Sequence, residues 1–377
     1  MHFVTRAIHA GQEPEPRTGS VNVPIYQTST YAQDGVGEHR GWDYGRSGNP
    51  TRDALQTALA SLEEADDAVV FASGLAAEDA VFRTLSPGDH VVMGDDVYGG
   101  TWRQVAQVHV PAGLEVSTVD MGDLDAVRAA VRPSTRLVWV ETPTNPLLKV
   151  VDIAATAEIA HEADARLVVD NTFATPWLTQ PLGLGADLVV HSTTKYLGGH
   201  SDVVGGAVCT DAETAERLRF LQNAVGAVGG PFDNYLTLRG IKTLGVRMQA
   251  HCANAGAIAT HLAEHPAVAA VHYPGLPDHP GHEIAARQMR DFGGMVSVQL
   301  AGGRAAAEVV ATSTELFFLA ESLGGVESLV EHPGVMTHAS VAGTPLEVPD
   351  DLLRLSVGIE HVDDLLADLD AALAHAA

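Results

Sequence analysis

Five short segments of the chain carry side chains whose types and spacing could do chemistry. Leu188–Asp202 reads Leu-Val-Val-His-Ser-Thr-Thr-Lys-Tyr-Leu-Gly-Gly-His-Ser-Asp, so Lys195 follows an apolar run and sits among hydroxyls and glycines. A lysine withdrawn from water loses affinity for its proton, and the neutral amine is a nucleophile. A solvated loop lysine is the competing reading. Asp170 closes the run Leu-Val-Val-Asp-Asn-Thr-Phe. A carboxylate buried there needs hydrogen bonds or a cation such as a pyridinium nitrogen, or else it caps the following helix. Phe71–Glu78 reads as a strand, a Ser-Gly turn and an Ala-rich helix, which leaves free backbone N–H groups where a phosphate could bind. In Asp95–Thr101, Tyr98 could stack on an aromatic group while Gly99 and Gly100 permit close backbone approach. Arg46 and Tyr44, in Asp43–Thr51, offer a planar fork and a phenol to a phosphate. Each of these three also has a plain reading, as an ordinary β-α turn, a tyrosine in a glycine turn and a surface arginine.

These segments need a scaffold that holds them at one place. Val-rich runs at Ala68–Phe71, His90–Met93, Glu115–Val119, Leu137–Glu141, Leu167–Asp170, Leu188–His191 and Gly206–Cys209 are continuous rather than alternating. That pattern predicts strands buried on both faces. Leu55, Leu59 and Leu62 form a helical stripe, and Asp123–Val131 and Ile153–Ala163 have the length of crossover helices. Repeated β-α units predict a mostly parallel, helix-covered sheet that binds ligands at the carboxyl ends of its strands. Residues 1–46 lack periodicity and read as an arm lying on another part of the assembly. Residues 47–245 form the large α/β domain. From 246 to 377, helices at Met248–Glu264, His282–Arg290, Gly303–Thr312 and Val362–Ala374 bracket strand-like runs at Ala269–Tyr273 and Met295–Leu300, a smaller α+β domain.

Composition narrows the functional classes. With 22 basic and 48 acidic residues, a net charge of −26 disfavours nucleic acid and anionic membranes. Two cysteines cannot build a disulfide framework, no signal-peptide pattern opens the chain and no run is long enough to span a bilayer. A cytoplasmic enzyme is expected. His272, His279 and His282 invite a metal reading, but no His-Glu-x-x-His occurs and no metal is expected. The Gly-x-Ser-x-Gly elbow of serine hydrolases and the P-loop are absent too.

Taken together, Ser-Thr-Thr-Lys195-Tyr, Val-Asp170-Asn-Thr-Phe, Tyr98-Gly-Gly-Thr and Arg46-Ser-Gly-Asn-Pro-Thr resemble the pyridoxal-phosphate (PLP) enzymes of cysteine and methionine metabolism, the cystathionine γ-synthase and γ-lyase family. The segments 320–329, 336–340 and 354–360 match it in order. The resemblance implies the type I PLP-transferase fold, similar to aspartate aminotransferase. It further implies that Lys195 carries PLP as a Schiff base and shuttles protons, and that Asp170 pairs with the pyridinium nitrogen. Tyr98 stacks on the ring; Gly74, Leu75, Ser192 and Thr194 hold the phosphate, with Tyr44 and Arg46 reaching it from a neighbouring subunit. The site is then built by a homodimer, and such dimers usually pair into a tetramer. Arg354 clamps the substrate α-carboxylate with Asn145 and the backbone near Ser322, while Ser322 and Thr337 orient Lys195 and Asp170.

Asp43, Arg103 and Glu321 lie where γ-processing members bind the distal end of an amino-acid substrate. Gly100 stands where methionine γ-lyases carry cysteine, and Asp43, Pro146–Ile153 and Gly281–Gln288 look synthase-like. The expected reaction is γ-replacement, O-acylhomoserine plus cysteine giving cystathionine. The runner-up is γ-elimination of cystathionine, followed by O-acetylhomoserine sulfhydrylase or methionine γ-lyase activity.

Overall fold

A computed structural model describes residues 1–338 and 347–376. The expected Val-rich runs form seven strands: β1 (Asp67–Phe71), β2 (His90–Gly94), β3 (Glu115–Val119), β4 (Thr135–Glu141), β5 (Arg166–Asp170), β6 (Leu188–Ser192) and β7 (Gly206–Thr210). They lie in one sheet in the order β1-β7-β6-β5-β4-β2-β3, parallel except where β7 runs antiparallel to β1 and β6. Apolar clusters cover both faces, and β2 and β7 are buried along their whole length. This burial is why the runs are continuous rather than alternating.

The covering helices begin at side-chain caps. Asn49 accepts from the N–H groups of Thr51 and Arg52 to open Pro50–Glu63, and Asp123, Asp152 and Asp211 cap Leu124–Ala130, Ile153–Glu162 and Ala212–Val225.

The second sheet holds β8 (Val268–His272), β9 (Met295–Leu300), β10 (Phe318–Leu319), β11 (Leu329–Glu331) and β12 (Leu352–Ser356), ordered β10-β11-β12-β9-β8. Its last three strands escape the sequence reading. β10 and β11 are two and three residues long, and β12 carries Arg354 at its centre. One helix, Leu244–Ala263, serves both cores: Leu244, Met248 and Cys252 pack toward the first sheet, Ala255, Ile258 and Leu262 toward the second. The boundary expected at 245/246 falls inside its first turn.

The expectation of an arm with no core of its own is corrected at its start. Phe3–His9 is a helix whose Phe3 and Ala7 are buried, with Phe3 meeting Trp177 edge-on at 5.3 Å. A single apolar pair is too short to register as a helical stripe, although it seals the helix against the chain's own core.

Candidate active site

The carboxyl ends of β1, β2, β4, β5 and β6 open onto one cavity of about 220 Å³. Gly74, Leu75, Tyr98, Asn145, Asp170, Ser192, Thr194, Lys195, Glu321, Ser322, Thr337 and Arg354 all line it. The last four come from the 318–356 region, so both sheets contribute walls.

Lys195 lies just past β6, and its Nζ donates to Ser322 Oγ at 2.8 Å. Burial, reinforced by the nearby Arg354 cation, lowers its pKa to about 8. The chain has three lysines. Lys149 is paired with Asp95 at 2.9 Å and Lys242 donates to Asn22, so Lys195 alone is presented to the cavity.

Asp170 ends β5 and its Oδ1 accepts from Thr172 N at 2.9 Å. It caps locally, as the plain reading expected. Yet its carboxyl is buried, has no cation paired with it among the described residues, and is raised by that burial. Two further carboxyls surround this spot. Glu78 and Glu141 are fully buried and pushed well up, by burial first and then by Asp170. Glu141 accepts from Tyr98 N at 2.8 Å, which fixes the tyrosine. Burial also raises the Tyr98 phenol.

At the end of β1, Ser73 caps the helix Gly74–Phe82 by accepting from Ala76 N at 3.1 Å. The N–H groups of Gly74 and Leu75 therefore lie in a first turn that supplies no partner for them. A Cβ on Gly74 would stand 3.0 Å from Ser192 Cβ, so glycine lets this turn close on β6 without displacing Ser192. Of the glycines after Tyr98, Gly99 permits a close backbone approach as expected, while Gly100 makes room for a side chain instead. A Cβ on Gly100 would collide with the Tyr98 ring, and one on Gly99 would stand 2.7 Å from Thr337 O.

Arg354 is 3% exposed. It donates to Asn145 Oδ1 and Ser322 O, both at 2.8 Å, and pairs with Glu331 at 3.0 Å.

Three expectations are adjusted. Thr337 donates to Glu331 Oε1 at 2.9 Å and thus bonds to neither Lys195 nor Asp170. The Thr194 hydroxyl is engaged with the Gly205 backbone, accepting from its N–H at 3.0 Å. Arg103 is exposed and does not line the cavity, although its charge acts on Tyr98. Tyr44 and Arg46 line a separate recess beside Gly229 and Pro231, where Arg46 donates to Asn223 Oδ1 at 2.9 Å and lies over the Tyr44 ring. Asp43 is exposed, accepting from Tyr44 N at 2.7 Å. Within one chain, then, these three do not reach the cavity. Ala339 and Ser340, from the expected 336–340 motif, lie outside the described residues.

Glu78, Glu141 and Glu331 were missed in the sequence. A signal existed for one of them: Glu141 closes a Val-rich strand as Asp170 does, and is its register partner.

The donor set fits PLP. A buried carboxylate with no cation paired to it suits a ring nitrogen, a tight helix start suits a phosphate, and a depressed lysine suits a carbonyl. The fold and cavity thus define a PLP-dependent enzyme. The chain belongs to the Cys/Met metabolism PLP-dependent enzyme family, whose model matches residues 4–374. It is 62% identical to a cystathionine γ-synthase of Mycobacterium tuberculosis over 98% of this chain and 96% of that protein. It is 53% identical to a cystathionine β-lyase of Coxiella burnetii, over 99% and 98% of the two chains. A crystal structure of cystathionine γ-synthase from Xanthomonas oryzae pv. oryzae, in complex with aminoacrylate and cysteine, superposes with a TM-score of 0.97 at 46% identity, covering 100% of this chain and 98% of that one.

Proposed function

We propose that this enzyme catalyses γ-replacement, in which cysteine displaces the acyl group of an O-acylhomoserine to form cystathionine. The observation that carries the reading is full-length similarity at 62% identity to a cystathionine γ-synthase, together with the convergence of Lys195, Asp170 and Arg354 on one cavity. The sulfur of cysteine bonds to Cγ, the acyl carboxylate leaves, and the thiol proton is released with it. PLP, when bound, supplies an electron sink for charge developing at Cα and Cβ.

The chain's own groups do the rest. Asp170, ionised against the ring nitrogen, keeps that nitrogen protonated. Gly74 and Leu75 N–H, with Ser192, would hold the phosphate end, and Tyr98 would cover the ring. Arg354 grips the substrate α-carboxylate beside Asn145 and Ser322. That would fix Cα near Lys195, whose amine would take one proton from Cα and one from Cβ as the acyl group leaves and return one to each after sulfur has bonded to Cγ; Ser322 would hold the amine between transfers. Glu321, exposed at the rim, faces the distal end of the substrate with Arg103 and Asp43. Tyr44 and Arg46 complete the phosphate site of a second copy, so the working unit is a homodimer, paired further into a tetramer. The division into residues 1–46, 47–245 and 246–377 and a cytoplasmic location belong to the same proposal.

A second reading is cleavage of cystathionine, favoured by the 53% identity to a protein named as a lyase. Product analysis separates the two. Given PLP, cysteine and O-acetyl- or O-succinylhomoserine, the purified protein should release cystathionine. Consumption of cystathionine far faster than either ester, with release of an oxo acid and ammonia, would overturn the synthase reading.

A further inference from the structure

Arg354 and Glu331 are register partners on the adjacent antiparallel strands β12 and β11, so both side chains leave the same face of the second sheet. Both are almost wholly buried, at 3% and 1% exposed. The hydrogen bonds of Arg354 can be counted. Nη1 donates to Asn145 Oδ1 at 2.8 Å and lies 3.0 Å from Glu331 Oε1 in an ion pair. Nη2 gives one N–H to Ser322 O, at 2.8 Å. Nε is buried and has no partner. A guanidinium has five N–H groups, so three make no hydrogen bond to the described residues: one on Nη1 beside Glu331, one on Nη2 and the one on Nε. Nε and Nη2 are neighbours on the edge away from Glu331, and their separation suits the two oxygens of a carboxylate.

Glu331 is itself held from behind. Thr337 Oγ1 donates to its Oε1 at 2.9 Å, while Oε2 is buried and unpartnered. The cation that would grip the substrate therefore already carries one buried carboxylate.

We propose that Glu331 is a positioning residue with a second effect: it occupies Nη1, turning the Nε–Nη2 edge of Arg354 to the substrate, and its charge weakens the ground-state grip on the α-carboxylate. This rests on the reading that Arg354 binds that carboxylate. Two anions on one guanidinium repel, and the repulsion is strong away from bulk water. A weaker grip on the resting substrate raises KM without loss of the orientation on which turnover depends.

The two effects separate by substitution. Glu331→Gln keeps an acceptor at the same reach and removes the charge. Glu331→Asp keeps the charge and withdraws it from Nη1. The probes are L-norleucine, which has a carboxylate and no leaving group at Cγ, and pentylamine, which has no carboxylate. Binding to the PLP-loaded enzyme is read from the visible absorption of the cofactor. L-Norleucine should bind Glu331→Gln about tenfold tighter and Glu331→Asp about tenfold weaker, each a change of about 1.4 kcal/mol. Pentylamine should bind both variants as it binds the unaltered enzyme. If L-norleucine binds Glu331→Gln no more tightly, or if both probes shift together, the proposal falls; should that variant not fold, an unchanged affinity in Glu331→Asp overturns it equally. Unaltered enzyme that fails to prefer L-norleucine over pentylamine would instead remove the carboxylate reading of Arg354, and this proposal with it.

Discussion

At the scale of residues, the site turns on one amine among few. Lys195 is lowered to about 8 by burial and by Arg354, so its neutral, nucleophilic form grows as pH rises through that value. Capture of PLP by the cofactor-free chain should accordingly quicken as pH rises through about 8 and level off above it. A stopped-flow trace of cofactor absorbance measures this, and a rate that stays flat through the region would contradict the assignment. The sequence made Lys195 and Asp170 legible because Asp170 closes a Val-rich strand and Lys195 follows one. It hid Glu78, which lies one turn into a helix and is distinguished only by what folds over it. Glu331 was hidden for a similar reason, since a three-residue strand leaves no periodicity to read.

At the scale of elements, small contacts align the strand ends. β7 crosses beneath the Ser73–Gly74 turn so closely that a Cβ on Gly206 would meet the Ser73 carbonyl and stand 2.7 Å from Gly74 N. Gly206→Ala should push this turn outward and weaken PLP binding about tenfold, with an overpacking cost of about 1–3 kcal/mol in stability. Equilibrium dialysis and a urea titration would measure the two effects; unaltered cofactor affinity would show that the turn does not cradle the phosphate. On the opposite face, Glu63 accepts from Asn171 Nδ2 at 2.8 Å and meets His191 Nε2 at 2.5 Å, tying together the ends of β5 and β6 that present Asp170 and Ser192. Glu63→Ala leaves both buried partners without it, at about 1–3 kcal/mol for each orphaned group. A urea midpoint equal to that of the unaltered protein would contradict this role. All seven strands of the large sheet could be read from their Val runs. The second sheet could be read only at β8 and β9, because β12 interrupts its apolar pattern with the functional Arg354.

At the scale of the whole molecule, Tyr44 and Arg46 line a recess apart from the cavity, and the proposed dimer assigns them to the site of a second copy. Within the 1–46 segment, Phe3–His9 docks on the chain's own core, while the stretch leading to Tyr44 does not form regular elements. Lys195→Ala and Arg46→Ala should each be inactive alone. Co-expressed, they should regain activity, since a mixed dimer contains one site with both residues intact. No recovery in dimers shown to be mixed would place Arg46 outside the site. The central claim is that Lys195 bonds PLP, and the chain's three lysines make it open to direct test. Hydride reduction of the PLP-loaded protein followed by peptide mass mapping should find the cofactor fixed to Lys195, with Lys149 and Lys242 unmodified. Cofactor fixed to either of those two, or to no lysine at all, would contradict the account.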